Sequence, residues 1–182
     1  MKKVFVLFAF MLSAASLMAQ SGHRGIDFNV DLGYNLPTKG EASDDLSGTL
    51  TFGKRFSQNF FAGAGSGVYM RGLPDKISGK DPSPETFVPI FADFRYYIPL
   101  NGTGITPYFG LKGGYVINCV SSSGSDLYIF QVTPGVAFPL SASIDLNVAA
   151  GYEHCIPTMK ELDASGMVVF RVGFSFHKST RR

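Results

Sequence analysis

Tryptophan is absent from the 182 residues, cysteine occurs twice, and neither sign of charge dominates, with 16 Lys and Arg against 14 Asp and Glu. A balance this even gives no electrostatic grip on nucleic acid or on an anionic lipid surface, and no nucleic-acid partner is expected. Beyond residue 20 no apolar run reaches the ~18 residues that a membrane-spanning helix needs. No stretch repeats its apolar residues at the 3.6-residue period of a helix either. Ligand clusters are also missing. His154 and Cys155 stand beside Glu153, but His23 and His177 lie far away in the chain and no His-x-Ser arrangement is present. No catalytic residue, metal site or cofactor is therefore expected. The glycine-rich AGAGSG (Ala62–Gly67) lacks the GxxxxGK[ST] spacing of a phosphate loop and opens no helix.

What is present begins with MKKVFVLFAFMLSAASLMAQ. Lys2 and Lys3 precede an apolar run, Val4–Leu17, that is short for a span, and small residues follow. This is the pattern of a secretory signal peptide, residues 1–19, with cleavage after Ala19 (Ala15 is the other candidate). Removing it takes away two lysines and no acid, so the surplus positive charge leaves with it. Residues 20–182 are of a length that suits one domain.

That domain is dominated by period two. GIDFNVDLGYNL (Gly25–Leu36) sets Ile26, Phe28, Val30, Leu32 and Tyr34 against Asp27, Asn29, Asp31 and Gly33. Seven more alternating segments follow at 48–56, 60–71, 87–98, 106–118, 127–138, 143–154 and 166–176. Strands of this kind are half-buried. The connections at 57–59, 99–105 and 139–142 read as short, and those at 37–47, 72–86, 119–126 and 155–165 as longer. Short and long links are thus expected to alternate. A meander of antiparallel strands would then carry its short turns at one end and its long loops at the other, as outer-membrane barrels do. Ten-residue strands, tilted, cover the ~25 Å apolar band of such a barrel.

Which face meets water follows from space. An eight-stranded barrel holds only its own side chains or one small ligand. The glycines Gly33, Gly63, Gly65, Gly67, Gly110, Gly114, Gly135, Gly151 and Gly173 fall on the polar faces of the strands. Small residues suit a concave interior, so the apolar faces point outward, to lipid. The inward faces then carry Asp27, Asp31, Asp93, Asp145 and Glu153 with Arg55, Arg95, Lys112 and Arg171. Charges removed from bulk water must be paired or wetted, so an interior ion network with no open pore is expected. The expected fold is all-β: an eight-stranded, antiparallel, up-and-down transmembrane β-barrel behind a cleaved signal peptide.

Cys119 and Cys155 fall at the outer ends of the fifth and seventh strands. Export to an oxidising compartment favours a disulfide between them. The intervening strand sets them ~9.6 Å apart, too far without loop bending. A disulfide and two free thiols both stay open here.

Residues 24–176 resemble the small eight-stranded outer-membrane barrels, the group of the OmpA transmembrane domain and OmpX. The resemblance rests on the eight alternating strands and on the closing MVVFRVGFSF (Met167–Phe176), and the central FVPIFADFRYYIP (Phe87–Pro99) also resembles the broad outer-membrane beta-barrel domain family. It implies residence in the bacterial outer membrane and contact with its lipid. It also implies that the barrel-assembly machinery reads Phe170, Val172, Phe174 and Phe176. His177–Arg182 depart from it, because many members stop at the final aromatic. A non-enzymatic monomer is expected, with an unidentified extracellular partner bound through loops 37–47, 72–86, 119–126 and 155–165. The rival readings are a narrow channel, a lipid-modifying barrel enzyme and a soluble periplasmic lipocalin-like binder.

Overall fold

The computed structural model describes residues 26–38, 44–71, 85–100, 104–119, 126–158 and 164–177. Eight strands form: β1 (Ile26–Pro37), β2 (Asp45–Arg55), β3 (Phe60–Arg71), β4 (Glu85–Tyr97), β5 (Thr106–Asn118), β6 (Leu127–Ser141), β7 (Ile144–Pro157) and β8 (Ser165–Phe176). Each pairs antiparallel with its neighbours in sequence, and β8 closes on β1. No strand edge is left open, which is the condition for a sheet in lipid.

The stagger of this closure can be walked. Ile26 pairs with Lys54, which pairs with Ala62, and the row continues through Phe94, Leu111, Val132, Tyr152 and Val168. It returns to β1 at Leu36, ten residues above its start. At ~3.3 Å per residue and ~4.8 Å between strands, that offset tilts the strands by roughly 40°.

The alternation of apolar and polar residues is realised with the apolar side chains outside. Leu32, Ile90, Phe109, Phe130 and Val172 are each at least half exposed, whereas Asp31, Asp93, Lys112, Gln131 and Arg171 are buried. A girdle of exposed apolar residues on all eight strands is far larger than a soluble surface tolerates, so its solvent is lipid. None of the described residues forms a helix long and apolar enough to cross a membrane.

Three details depart from the sequence reading. Strands β2 and β7 run farther at the end away from the termini, starting at Asp45 and stopping at Pro157. Their last residues alternate less clearly, yet the rungs Asn35↔Asp45 and Leu127↔Pro157 hold them in the sheet. Strict alternation of short and long links fails as a result. The β4–β5 connection, 98–105, is no shorter than those at 38–44 and 158–164. Third, two prolines sit inside paired strands. The β3–β4 ladder skips from Ser66↔Ile90 to Tyr69↔Phe87 beside Pro89, and β6–β7 skips from Val132↔Tyr152 to Gly135↔Ala149 beside Pro134. Proline has no N–H to give to a ladder. At the first gap Ser66 Oγ donates to the Pro89 carbonyl at 2.7 Å.

Inside, two apolar layers bracket a polar centre. Tyr69, Phe87, Val116, Leu127, Ile129, Cys155 and Met167 fill the end away from the termini. Phe61, Tyr97, Tyr108, Ala137 and Ala149 fill the end near them.

Candidate functional site: the charged interior

The alternation that sends apolar residues to lipid sends every second side chain into a lumen with little room. At Gly33 the crowding is explicit. A Cβ there would lie 2.5 Å from Ser47 Oγ and 3.0 Å from Arg171 Nη1. The bare backbone of β1 is what lets the Arg171 guanidinium lie flat against it.

Between the two apolar layers the charges form two groups. In the first, Arg95 on β4 donates from Nη2 to Asp31 Oδ2 on β1 at 2.9 Å and to Asp93 Oδ2 at 2.9 Å. Lys112 on β5, opposite Asp93 in the register, reaches Asp31 at 3.4 Å and Asp93 at 3.9 Å. One carboxylate on β1 is thus tied across the lumen to cations on β4 and β5. The cations are backed by rings: Arg95 lies 5.9 Å from the Phe61 centroid and 5.7 Å from that of Tyr108, and Lys112 lies 4.9 Å from Phe91. Such contacts retain a cation where water is scarce.

The second group is built around Arg171 on β8. Its Nη2 donates to Gln131 Oε1 on β6 at 2.8 Å and to the Tyr69 hydroxyl on β3 at 3.4 Å, and stands 3.6 Å from Glu153 Oε2 on β7. Tyr69 donates in turn to Glu153 at 3.4 Å. A cavity of about 10 Å³, room for about one water, lies among Asp31, Asp93, Arg95, Lys112 and Arg171.

The remaining charged residues lie at the two ends. Arg55 pairs with Asp27 at 3.0 Å near the termini and covers the Tyr97 ring. Asp145 meets none of the interior arginines in an ion pair. Its partner is His177, at 3.6 Å, just after β8. At the other end Arg71 grips Asp45 through two bonds, at 2.9 and 3.1 Å, and lies over Phe87.

Sequence reasoning missed Asp45, Arg71, Gln131 and Tyr69. Arg71 has the inward parity of Phe61 and Gly63, so continuing the alternation by one step would have found it. Gln131 and Tyr69 carry no formal charge, and a count of charges passes over them. Also unforeseen is a small network at the seam: Ser175 on β8 donates to Asn29 on β1 and accepts from Asn147 on β7.

The two cysteines are separate free thiols, one of the two alternatives left open by the sequence. Cys155 belongs to β7, points inward into the upper apolar layer and lies 3.7 Å from Glu153 Oε1. Cys119 is exposed at the end of β5. Opposite facing adds to the separation already imposed by β6. No group of three His, Cys, Asp or Glu side chains suited to a metal occurs among the described residues. His154 points outward and stacks on Tyr152, while His177 is at the opposite end and His23 falls outside the described residues. Residues 1–19 also fall outside them, as do 39–43, 72–84, 120–125 and 159–163 within the loops 37–47, 72–86, 119–126 and 155–165. Phe170, Val172, Phe174 and Phe176 all face outward on β8.

No protein-family model and no curated protein sequence matches the chain. Solved structures do. Neisserial surface protein A superposes with a TM-score of 0.61 at 16% identity, covering 84% of this chain and 96% of its own. The outer membrane enzyme PagL gives 0.56 at 10% identity over 82% and 99%. The outer membrane protein OprG from Pseudomonas aeruginosa gives 0.51 at 16% identity over 85% and 97%. The shared property is the fold. Together with the lipid-facing girdle, it makes this chain an eight-stranded barrel of the bacterial outer-membrane type.

Proposed function

We propose that the protein is a non-enzymatic, non-conducting barrel of the bacterial outer membrane, acting as a rigid support for surface contacts made by its longer connections. The observation that carries this reading is the ionic bridge across the lumen. Asp31, Arg95, Asp93 and Lys112 join β1 to β4 and β5, and Arg171 joins β8 to β6 and β3. With an apolar layer at each end, these bridges cross the path that a continuous column of water would take. An even strand count places both chain ends on one side, the periplasmic side in this reading. The connections 38–44, 72–84, 119–126 and 158–164 then lie at the cell surface, where binding residues on rigid scaffolds concentrate.

An enzyme is possible on such a scaffold, as PagL illustrates. Here, among the described residues, His154 is accompanied at the lipid face by Tyr152 and Phe130 rather than by an oriented nucleophile. The barrel is proposed to act as a monomer, and β8 to be the strand that the assembly machinery reads.

Two measurements test the reading. In SDS, the membrane-extracted protein should migrate differently cold and boiled. In planar bilayers it should show no discrete conductance steps. Stepwise currents that survive dilution of the protein would replace this reading with that of a channel.

A further inference from the structure

We propose that the end of the barrel near the termini binds the phosphate of an anionic phospholipid of the periplasmic leaflet, through Lys54 together with Arg24 and Lys178. The inference rests on the reading above that this end faces the periplasm.

The even balance of charge over the chain hides a polarity along the barrel axis. At the end away from the termini, the connections with their flanking strand ends (36–46, 70–86, 117–127 and 155–166) hold nine Asp and Glu against five Lys and Arg. The end near the termini is the reverse. Its turns 56–59, 98–105 and 142–143 contain no charged residue. Beyond residue 20 its cations are Arg24, Lys54, Arg55, Lys178, Arg181 and Arg182, and its acids are Asp27 and Asp145 alone. Both acids are occupied, Asp27 by Arg55 at 3.0 Å and Asp145 by His177 at 3.6 Å. Five cations remain for which that end holds no further acid.

Lys54 shows from which side a counter-charge reaches them. It alternates with the inward Thr51, Gly53 and Arg55 and is exposed on the outer face of β2. Among the described strand residues it is the one Asp, Glu, Lys or Arg that faces outward. A charge on the lipid side of a barrel is tolerated near the interface, at headgroup depth, and Lys54 is the last residue but one of β2. Its Nζ lies 5.9 Å from the centre of the Phe56 ring. Closure of the barrel brings two more cations to the same sector. Ile26, two residues after Arg24, pairs with Lys54, and Phe176, two residues before Lys178, pairs with Phe28.

Towards the membrane centre this sector is carbon. Phe28 stacks on Phe52 at 4.7 Å and on Phe176 at 5.8 Å. Cations at the edge with apolar rings behind them match an anionic phosphate carried on acyl chains. A water-soluble polyanion would use the cations and leave the rings idle. A zwitterionic phospholipid brings its own ammonium and gains less from the surplus positive charge.

The test uses the full membrane-extracted protein in detergent, with equal amounts of phosphatidylglycerol and phosphatidylethanolamine of the same acyl chains. Native mass spectrometry measures the lipid retained. Phosphatidylglycerol should be retained in about tenfold excess, and the excess should shrink as ammonium acetate is raised. The triple variant Arg24→Gln/Lys54→Gln/Lys178→Gln should lose most of that excess, and Lys76→Gln/Lys80→Gln at the other end should keep it. A cold-SDS band shift checks that each variant is a closed barrel. Equal retention of the two lipids, or a triple variant that keeps the parent's excess, overturns the site. Displacement of phosphatidylglycerol by an equal charge of soluble polyglutamate would give this end to a water-soluble polyanion and overturn it too. A tag inserted in 72–84 and labelled on intact cells tests the orientation on its own. A surface-accessible tag without lipid preference removes the site and leaves the orientation standing, whereas a shielded tag overturns the assigned leaflet whatever the preference.

Discussion

The two ion groups in the lumen solve one problem in different ways. Around Asp31 the solution is charge against charge: Arg95 makes bonds of 2.9 Å to two carboxylates, and Lys112 stands beside both. Around Arg171 the nearest carboxylate oxygen is 3.6 Å away, and the shortest bond goes to the neutral Gln131. In a lumen this tight, a charge is held as much by neutral donors and acceptors as by its counter-ion. Desolvated pairs stabilise only when the remaining polar atoms are also satisfied.

If that comparison is right, the two groups break unequally. Arg95→Leu should cost most, because it leaves Asp31 and Asp93 buried with Lys112 alone. A loss of about 3–5 kcal/mol in the urea unfolding of the folded barrel is expected. Arg171→Leu should cost less, about 2 kcal/mol, since Glu153 keeps the Tyr69 hydroxyl as donor. An Arg171→Leu loss equal to that of Arg95→Leu would erase the distinction. Gln131→Leu sharpens it further, with about 1–2 kcal/mol expected from leaving the guanidinium without its shortest acceptor. At the end pair, where the Arg55 side chain is 26% exposed and Asp27 is buried, Arg55→Ala should cost about 1 kcal/mol, less than the central substitutions.

The smallest effect is expected outside the membrane, at Asp126. The Tyr115 hydroxyl and the Asn118 N–H both donate to its carboxylate and hold its pKa below the usual value. A group depressed in this way contributes fully above the unfolded pKa, and the contribution disappears as pH falls through the lower, folded value. The Tyr115–Asp126 bond should therefore persist through mildly acidic pH. An NMR titration of the Asp126 carboxyl carbon checks this, and a midpoint at or above that of an exposed aspartate would contradict it.

Much of this architecture was legible in the alternation. Asp27, Asp31, Asp93 and Lys112 have inward parity whichever strand ends are chosen, because parity survives an error of two or three residues at a boundary. Parity alone does not choose partners. Asp145 and Arg171 lie on neighbouring strands, yet Asp145 meets His177 and Arg171 meets Gln131 and Glu153. The ten-residue stagger of the barrel sets which inward side chains share a level, and no single strand carries that number. Asp45 was lost because β2 was begun at Gly48, where the apolar alternation starts, while the ladder starts three residues earlier. The cysteines stayed open between a disulfide and free thiols for the complementary reason: spacing along the sheet was considered, but not which side of it each thiol faces.

The interrupted ladders at Pro89 and Pro134 divide the wall mechanically. They fall on the β3–β4 and β6–β7 seams, while the β4–β5 and β5–β6 seams between them run without a skipped rung. The two skipped seams part the cylinder into a run of three strands and a run of five, and the Asp31–Arg95 bridge spans that division from inside, tying β1 of the larger run to β4 of the smaller.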